Sequence, residues 1–215
     1  MEHTFEGRWI SDSEFYRLES RNVFHRQLDK ISLPCDAHRN RHILFRKKFN
    51  IANFFKKATL YISADDYYKL YVNGKYVTQG PAPSYHFAYN YNVIDISSYL
   101  KEGENVIALH TLYQGLINRV WQSGDNRHGL ILDLIIDGVC TLSSDRSFLT
   151  HPHSAYKEIG VCGYDTQFLE SYDCRAREVG FESPDFDDSY WEHAETCRYD
   201  DHRLKDQRKR TWLGV

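Results

Sequence analysis

The chain has 215 residues, 27 Lys and Arg against 30 Asp and Glu, a formal net charge of −3, and 41% hydrophobic and 15% aromatic content, with a mean hydropathy of −0.62. That length can bury a core of its own and fits one large domain with at most a short appendage. Charges of both signs are interspersed, so there is no broad field for a polyanion and nucleic acid is not expected as a partner. No apolar run approaches the ~18 residues of a bilayer span, and Met1-Glu2-His3-Thr4-Phe5-Glu6 lacks the basic and apolar regions of a secretion signal, so no membrane partner is expected either.

The cysteines, Cys35, Cys140, Cys162, Cys174 and Cys197, are odd in number and widely spaced, which reads as reduced thiols in a cytoplasmic protein. The absence of any Asn-x-Ser/Thr acceptor agrees with that location. A mix of 16 Tyr and 12 Phe with one Met and 5 Pro suits pleated surfaces rather than helices.

In chain order, residues 1–42 are a polar lead-in of strand and loops, with Trp9-Ile10 as the early apolar anchor. Strict alternation predicts a strand over Thr59–Ala64 and another over Tyr67–Val72, with Asp65-Asp66 between them as a turn. Asn73-Gly74 tolerates positive φ and predicts a tight hairpin into Lys75–Thr78, so the three segments read as a meander. A short helix is expected over Ser97–Leu100 after Asp95. Glu104–Tyr113 is apolar on both faces, as an inner strand covered on both sides would be, and Leu130–Ile136 turns through Asp137-Gly138 into Val139–Leu142. A second short helix is expected over Ser189–Glu195, capped from Asp188. The body, residues 43–197, therefore reads as an all-β jelly-roll sandwich with short helical turns, and the charged segment 198–215 as a linker or exit strand.

Catalytic signatures are scarce. Gly-x-Ser-x-Gly, the phosphate-binding Gly-x-x-x-x-Gly-Lys-Ser/Thr and Gly-x-Gly-x-x-Gly are all absent. The adjacent carboxylates Asp65-Asp66, Asp187-Asp188 and Asp200-Asp201 read as turn and cap residues, because neighbours on a strand point to opposite faces and make no acid/base dyad. Cys35, His38 and His42, and His151-Pro152-His153, lack the paired spacing of a zinc centre. Gly124-Asp125-Asn126 is a loop of oxygen donors that either holds Ca²⁺ through Asp125 and Asn126 or is an ordinary turn.

Aromatic residues carry the strongest hint. Tyr67, Tyr68, Tyr71, Tyr76, Tyr85, Phe87, Tyr89 and Tyr91 crowd together, and flat rings with amide and carboxylate neighbours are what a sugar's C–H face and hydroxyls require. Tyr85, Tyr89, Tyr113, Trp121, Asp125 and Asn126 are the carbohydrate-binding candidates, several of them beside one loop between two strands, where a sandwich rim presents side chains. The alternative for each tyrosine is a strand residue whose ring packs while its hydroxyl stays wet.

The order of short motifs is more specific. Phe45-Arg46-Lys47-Lys48-Phe49, Lys57-Ala58-Thr59-Leu60-Tyr61-Ile62-Ser63-Ala64 and Tyr68-Lys69-Leu70-Tyr71-Val72-Asn73-Gly74-Lys75, then Gly80-Pro81, Asp95-Ile96, Tyr99-Leu100 and Gly103-Glu104-Asn105-Val106-Ile107-Ala108, resemble the N-terminal β-sandwich of bacterial α-L-rhamnosidases. Glu170-Ser171-Tyr172-Asp173-Cys174-Arg175 is similar to that family's E-x-Y-D-A-R, and Phe186-Asp187-Asp188-Ser189-Tyr190-Trp191-Glu192-His193-Ala194 to its F-D-D-S-x-W-x-x-A. Thr78-Gln79 before Gly80, and Tyr91-Asn92, depart from the family pattern.

The resemblance covers roughly residues 9–205 and implies a galactose-binding-like jelly roll at the front of a glycoside hydrolase. In that family the catalytic carboxylates of the inverting reaction sit on a helical barrel downstream, so no residue here receives a catalytic role by carry-over. The expected function is a non-catalytic accessory domain that supports the barrel and binds rhamnosides, with a free-standing lectin-like module as the alternative. Asp188 and Trp191 are expected to cap and pack the closing edge.

Overall fold

The structure is a computed structural model describing residues 3–20, 38–85, 88–116, 123–162, 167–198 and 204–206. Its strands are β1 (Ile10–Ser11), β2 (Arg41–Ile51), β3 (Ala58–Asp65), β4 (Tyr67–Val72), β5 (Lys75–Gly80), β6 (Tyr89–Asp95), β7 (Gly103–Tyr113), β8 (Gly129–Ile136), β9 (Val139–Ser143), β10 (Leu149–Pro152), β11 (Tyr156–Cys162), β12 (Gln167–Tyr172), β13 (Glu192–His193), β14 (Glu195–Thr196) and β15 (Leu204–Asp206). One helical turn, α1 (Ser13–Tyr16), is capped by Asp12, whose carboxylate accepts from the Phe15 N–H.

Two sheets face each other. The first runs β14-β1-β8-β3-β6-β15 with β9 alongside β8, and the second runs β13-β10-β2-β7-β4-β5. Every pairing in them is antiparallel except β15 on β6. Alternation fills the space between them: Leu60, Ile62 and Ala64 of β3 and Leu130, Leu132 and Leu134 of β8 meet Ile43 and Phe45 of β2, Leu70 and Val72 of β4, and Ile107 and Leu109 of β7. The lead-in joins this core through Ile10 and Phe15.

The hairpins form where the turn residues demand. Asn73 and Gly74 lie at φ +50° and +80°, and Asp137 and Gly138 at +49° and +88°, the left-handed pair of a two-residue turn. The helical turn after Asp95 is a 3-10 turn, Ser97–Tyr99, with the Asp95 carboxylate accepting from the Ser97 N–H and hydroxyl.

Two expectations fail. The meander is absent, because β3 pairs with β6 and β8 in the first sheet while β4 pairs with β5 and β7 in the second. Asp65-Asp66 is thus the crossing between sheets. Nor is there a helix over Ser189–Glu195. The chain turns at 189–190, β13 pairs with β10, β14 pairs with β1, and Ala194 between them is wholly buried and donates its N–H to the Phe148 carbonyl. The segment stitches the edges of both sheets together, and that pairing satisfies its backbone better than an isolated short helix would.

The outer face of the second sheet is also covered. Leu44 and Ala108 are buried against Phe181 and Trp191 from the irregular segment before β13. Beside that segment lies the β11–β12 hairpin, a separate two-stranded sheet. Among the described residues, Cys140, Cys174 and Cys197 are free thiols.

Candidate functional site

The space between the hairpin and the outer face of the second sheet forms a cleft of about 550 Å³. On β4 the residues that alternate away from the core are Tyr67 and Lys69, and both line it, with Gln79 of β5, His110 and Leu112 of β7, His42 of β2, and Asn92 of β6 at the margin. Tyr156 and Glu170 of the hairpin close the opposite wall. A smaller lobe of about 200 Å³ adjoins it and shares His42, Leu112, Tyr156 and Glu170.

One polar chain fixes the floor. Asn40 Oδ1 lies 3.3 Å from His42 Nε2, and His42 Nδ1 lies 2.8 Å from His110 Nε2. The amide oxygen only accepts, so His42 carries its proton on Nε2 and its Nδ1 accepts from His110. Tyr156 stacks on the His42 ring at 3.8 Å and 6°. Burial, then the neighbouring histidine rings and the Lys69 ammonium, hold His42 neutral, with its pKa lowered to about 3, and keep His110 well below the ordinary range. Burial likewise lowers His153, which packs on His110 and Tyr156, to about 4. Among the described residues Lys69 has no ion-pair partner. The larger cleft therefore offers aromatic walls, amides, the Lys69 ammonium and the Glu170 carboxylate, a set suited to a neutral or weakly charged polyol.

Most of the residues picked from the sequence lie elsewhere. Tyr85 is 49% exposed, in an isolated bridge with Ala88, and does not line the cleft. Tyr89 is buried, packs on Trp9 at 5.1 Å and donates its hydroxyl to Asp65. Tyr113 is buried in the core, its hydroxyl accepting from the Asn126 N–H at 2.8 Å. Asp125, 4% exposed, accepts from the N–H and guanidinium of Arg127 at 3.0 and 2.9 Å. Asn126, at φ +63°, donates its amide to the Glu19 carbonyl. Trp121 lies outside the described residues. The 123–128 loop folds into the body instead of standing at a rim, because Asp125 and Arg127 neutralise each other inside it.

That geometry also removes the reason to place Ca²⁺ at Asp125 and Asn126, since both side chains are committed to protein partners. Among the described residues no group of three or more His, Cys, Asp or Glu side chains is arranged to hold a metal.

Asp65 and Asp66 are a further correction. They do not diverge to opposite faces. Their carboxyls are hydrogen-bonded to each other, Tyr89 donates to Asp65, and Asp66 accepts from Ser123 Oγ and, at 2.7 Å, from the Gln114 N–H. Burial first, then repulsion from Asp66 and Asp125, raises the Asp65 pKa well above the ordinary carboxylate value. Ser123 Oγ in turn accepts from the Gly115 N–H, and the Ser123 N–H donates to the Leu116 carbonyl. The pair ties together the two ends of the 116–123 connection and lines neither lobe of the cleft.

The sequence reading missed Lys69, Gln79, Asn92, Tyr156 and Glu170. The outward phase of Tyr67 and Lys69 was a usable signal, whereas nothing in the sequence placed the β11–β12 hairpin over that face.

Fold and cleft together define a galactose-binding-like β-sandwich with a polar, aromatic-walled groove on one outer face. The chain belongs to the α-L-rhamnosidase N-terminal domain family, whose model matches residues 54–212. It superposes on the family 78 rhamnosidase of Bacillus sp. GL1 with a TM-score of 0.71 at 26% identity, covering 90% of this chain and 18% of that one. The α-L-rhamnosidase from Dictyoglumus thermophilum gives 0.66 at 24% identity, covering 94% and 22%. The Pleurotus ostreatus lectin in complex with GalNAc gives 0.51 at 18% identity, covering 88% and 42%, a likeness of fold alone. The chain thus spans about a fifth of the length of these solved rhamnosidases. Comparison with curated proteins finds no match.

Proposed function

We propose that this chain is a non-catalytic accessory domain that binds rhamnose-containing glycosides in the cleft between the β11–β12 hairpin and the second sheet, and supports a catalytic barrel of the same protein. The observation that carries the binding half is the ≈ 550 Å³ cleft with Tyr67, Tyr156, Gln79, Asn92, Lys69 and Glu170 on its walls, a size and composition typical of small-ligand sites. Membership in the rhamnosidase family supports the choice of sugar and the barrel as partner. The free thiols of Cys140, Cys174 and Cys197 support a reducing, cytoplasmic setting.

Titrating ¹⁵N-labelled chain with methyl α-L-rhamnoside tests the binding half. The expected outcome is saturable shifts of the Lys69, Gln79 and Glu170 amides, lost in Tyr156→Ala; shifts confined to other faces would reject the cleft. Likeness to the Pleurotus lectin favours a second reading, a free-standing sugar-binding module. GalNAc shifting the same amides while the rhamnoside leaves them unmoved would support it.

A further inference from the structure

The groove has two lobes, and each repeats the same chemistry. The larger pairs the Tyr67 ring with the Gln79 and Asn92 amides. The smaller pairs the Phe168 ring with Asn40 and Gln114. Between them stands a wall common to both, in which Tyr156 lies flat on His42 at 3.8 Å. Phe168 is itself contacted by the Arg39 guanidinium, 5.9 Å from its ring centroid. A ring plus amides is what one pyranose needs, an apolar face to cover and hydroxyls to bind. Two such sets sharing a wall match two successive units of one chain.

We infer that the groove is a two-subsite binding site for an oligosaccharide of at least two sugar units, one unit in the Tyr67–Lys69 lobe and the next against Phe168, with the linkage passing Tyr156 and Glu170. This rests on the cleft being the sugar site. The property that discriminates two subsites from one is chain length. A monosaccharide uses one ring platform and a disaccharide uses both, with the second unit bound at high effective concentration once the first is seated.

The test compares methyl α-L-rhamnoside with the methyl glycoside of an α-L-rhamnose disaccharide on the intact chain, by calorimetry and by NMR of ring-labelled phenylalanine. The disaccharide should bind about tenfold or more tighter, and should move the Phe168 ring resonances while the monosaccharide leaves them in place. Phe168→Ala should return disaccharide affinity to the monosaccharide level. Equal affinities, or a gain that leaves the Phe168 resonances unmoved, overturn the two-subsite inference and leave the single-cleft reading standing. Failure of both probes to shift any cleft amide removes the cleft reading and this inference together. Should Phe168→Ala fail to fold, the Phe168 ring shifts in the unmodified chain decide the matter.

Discussion

Replacing Asp188 by alanine should cost about 3 kcal/mol of folding stability, at the lower end of the ~3–5 kcal/mol seen when one partner of a buried ion pair is removed. Arg46 points away from the core between the sheets, yet it is 0% exposed beneath the segment before β13. Its Nε donates to Asp188 at 2.5 Å, its Nη1 to the Phe181 carbonyl at 2.6 Å and its Nη2 to the Pro184 carbonyl at 3.3 Å, while its guanidinium faces the Phe186 ring at 5.4 Å. Without Asp188 the carbonyls still accept, but the charge is no longer balanced. The Asp188 side chain keeps 16% exposure and Lys48 lies 3.8 Å from it, so water and relaxation soften the loss. Arg46→Met removes the charge and leaves those carbonyls unsatisfied, at ~1–3 kcal/mol for each that water does not reach. The double variant should then cost clearly less than the sum of the singles. Urea unfolding of the four proteins by far-ultraviolet circular dichroism measures this. A cost under about 1 kcal/mol for Asp188→Ala, with additive singles, would return Asp188 to the capping role expected from the sequence.

Trp191→Ala should cost ~3–5 kcal/mol, since Trp191 is 5% exposed and packs with Leu44, Ala108 and Phe181; a change in melting temperature of a degree or less would contradict that packing. The buried histidines oppose folding on acidification below pH 6.5, because His42 and His128 at about 3 and His153 at about 4 stay neutral when folded and take up protons when unfolded. The carboxyls of Asp12, Asp65, Asp66 and Asp125, all raised by burial, act in the opposite sense, so the clean test removes one histidine: between pH 7 and pH 5, His128→Gln should lose less stability than the unmodified chain, by up to about 1.4 kcal/mol per pH unit. Urea midpoints of both proteins at the two pH values read this, and an equal or larger loss in His128→Gln would refute it. Asp66→Ala should cost about 2–3 kcal/mol by orphaning the Gln114 N–H, and a hydrogen-exchange rate unchanged at that amide would refute the anchoring role.

Strand positions were legible because a half-covered strand must alternate and a two-residue turn must tolerate positive φ. Leu60, Ile62 and Ala64 and the Asn73-Gly74 turn carry that information locally. The candidate site was not legible in the same way. Tyr113 and Asn126 look alike whether they face solvent or each other, and their bond at 2.8 Å depends on how the 123–128 loop folds back against β7.

The sequence by itself determined the sandwich and its family, since periodicity, turn residues and ordered motifs are properties of neighbours along the chain. It left open which sheet each strand joins. Asp65-Asp66 reads as a polar turn in either case, and only the pairing of β3 with β8 and of β4 with β7 makes it a crossing whose carboxyls are buried. The same holds for the groove: Tyr67 and Lys69 alternate outward in the sequence, but what covers them is a hairpin nearly a hundred residues away. Desolvation, charge pairing and cleft shape all depend on that long-range contact, so they belong to the tertiary structure alone.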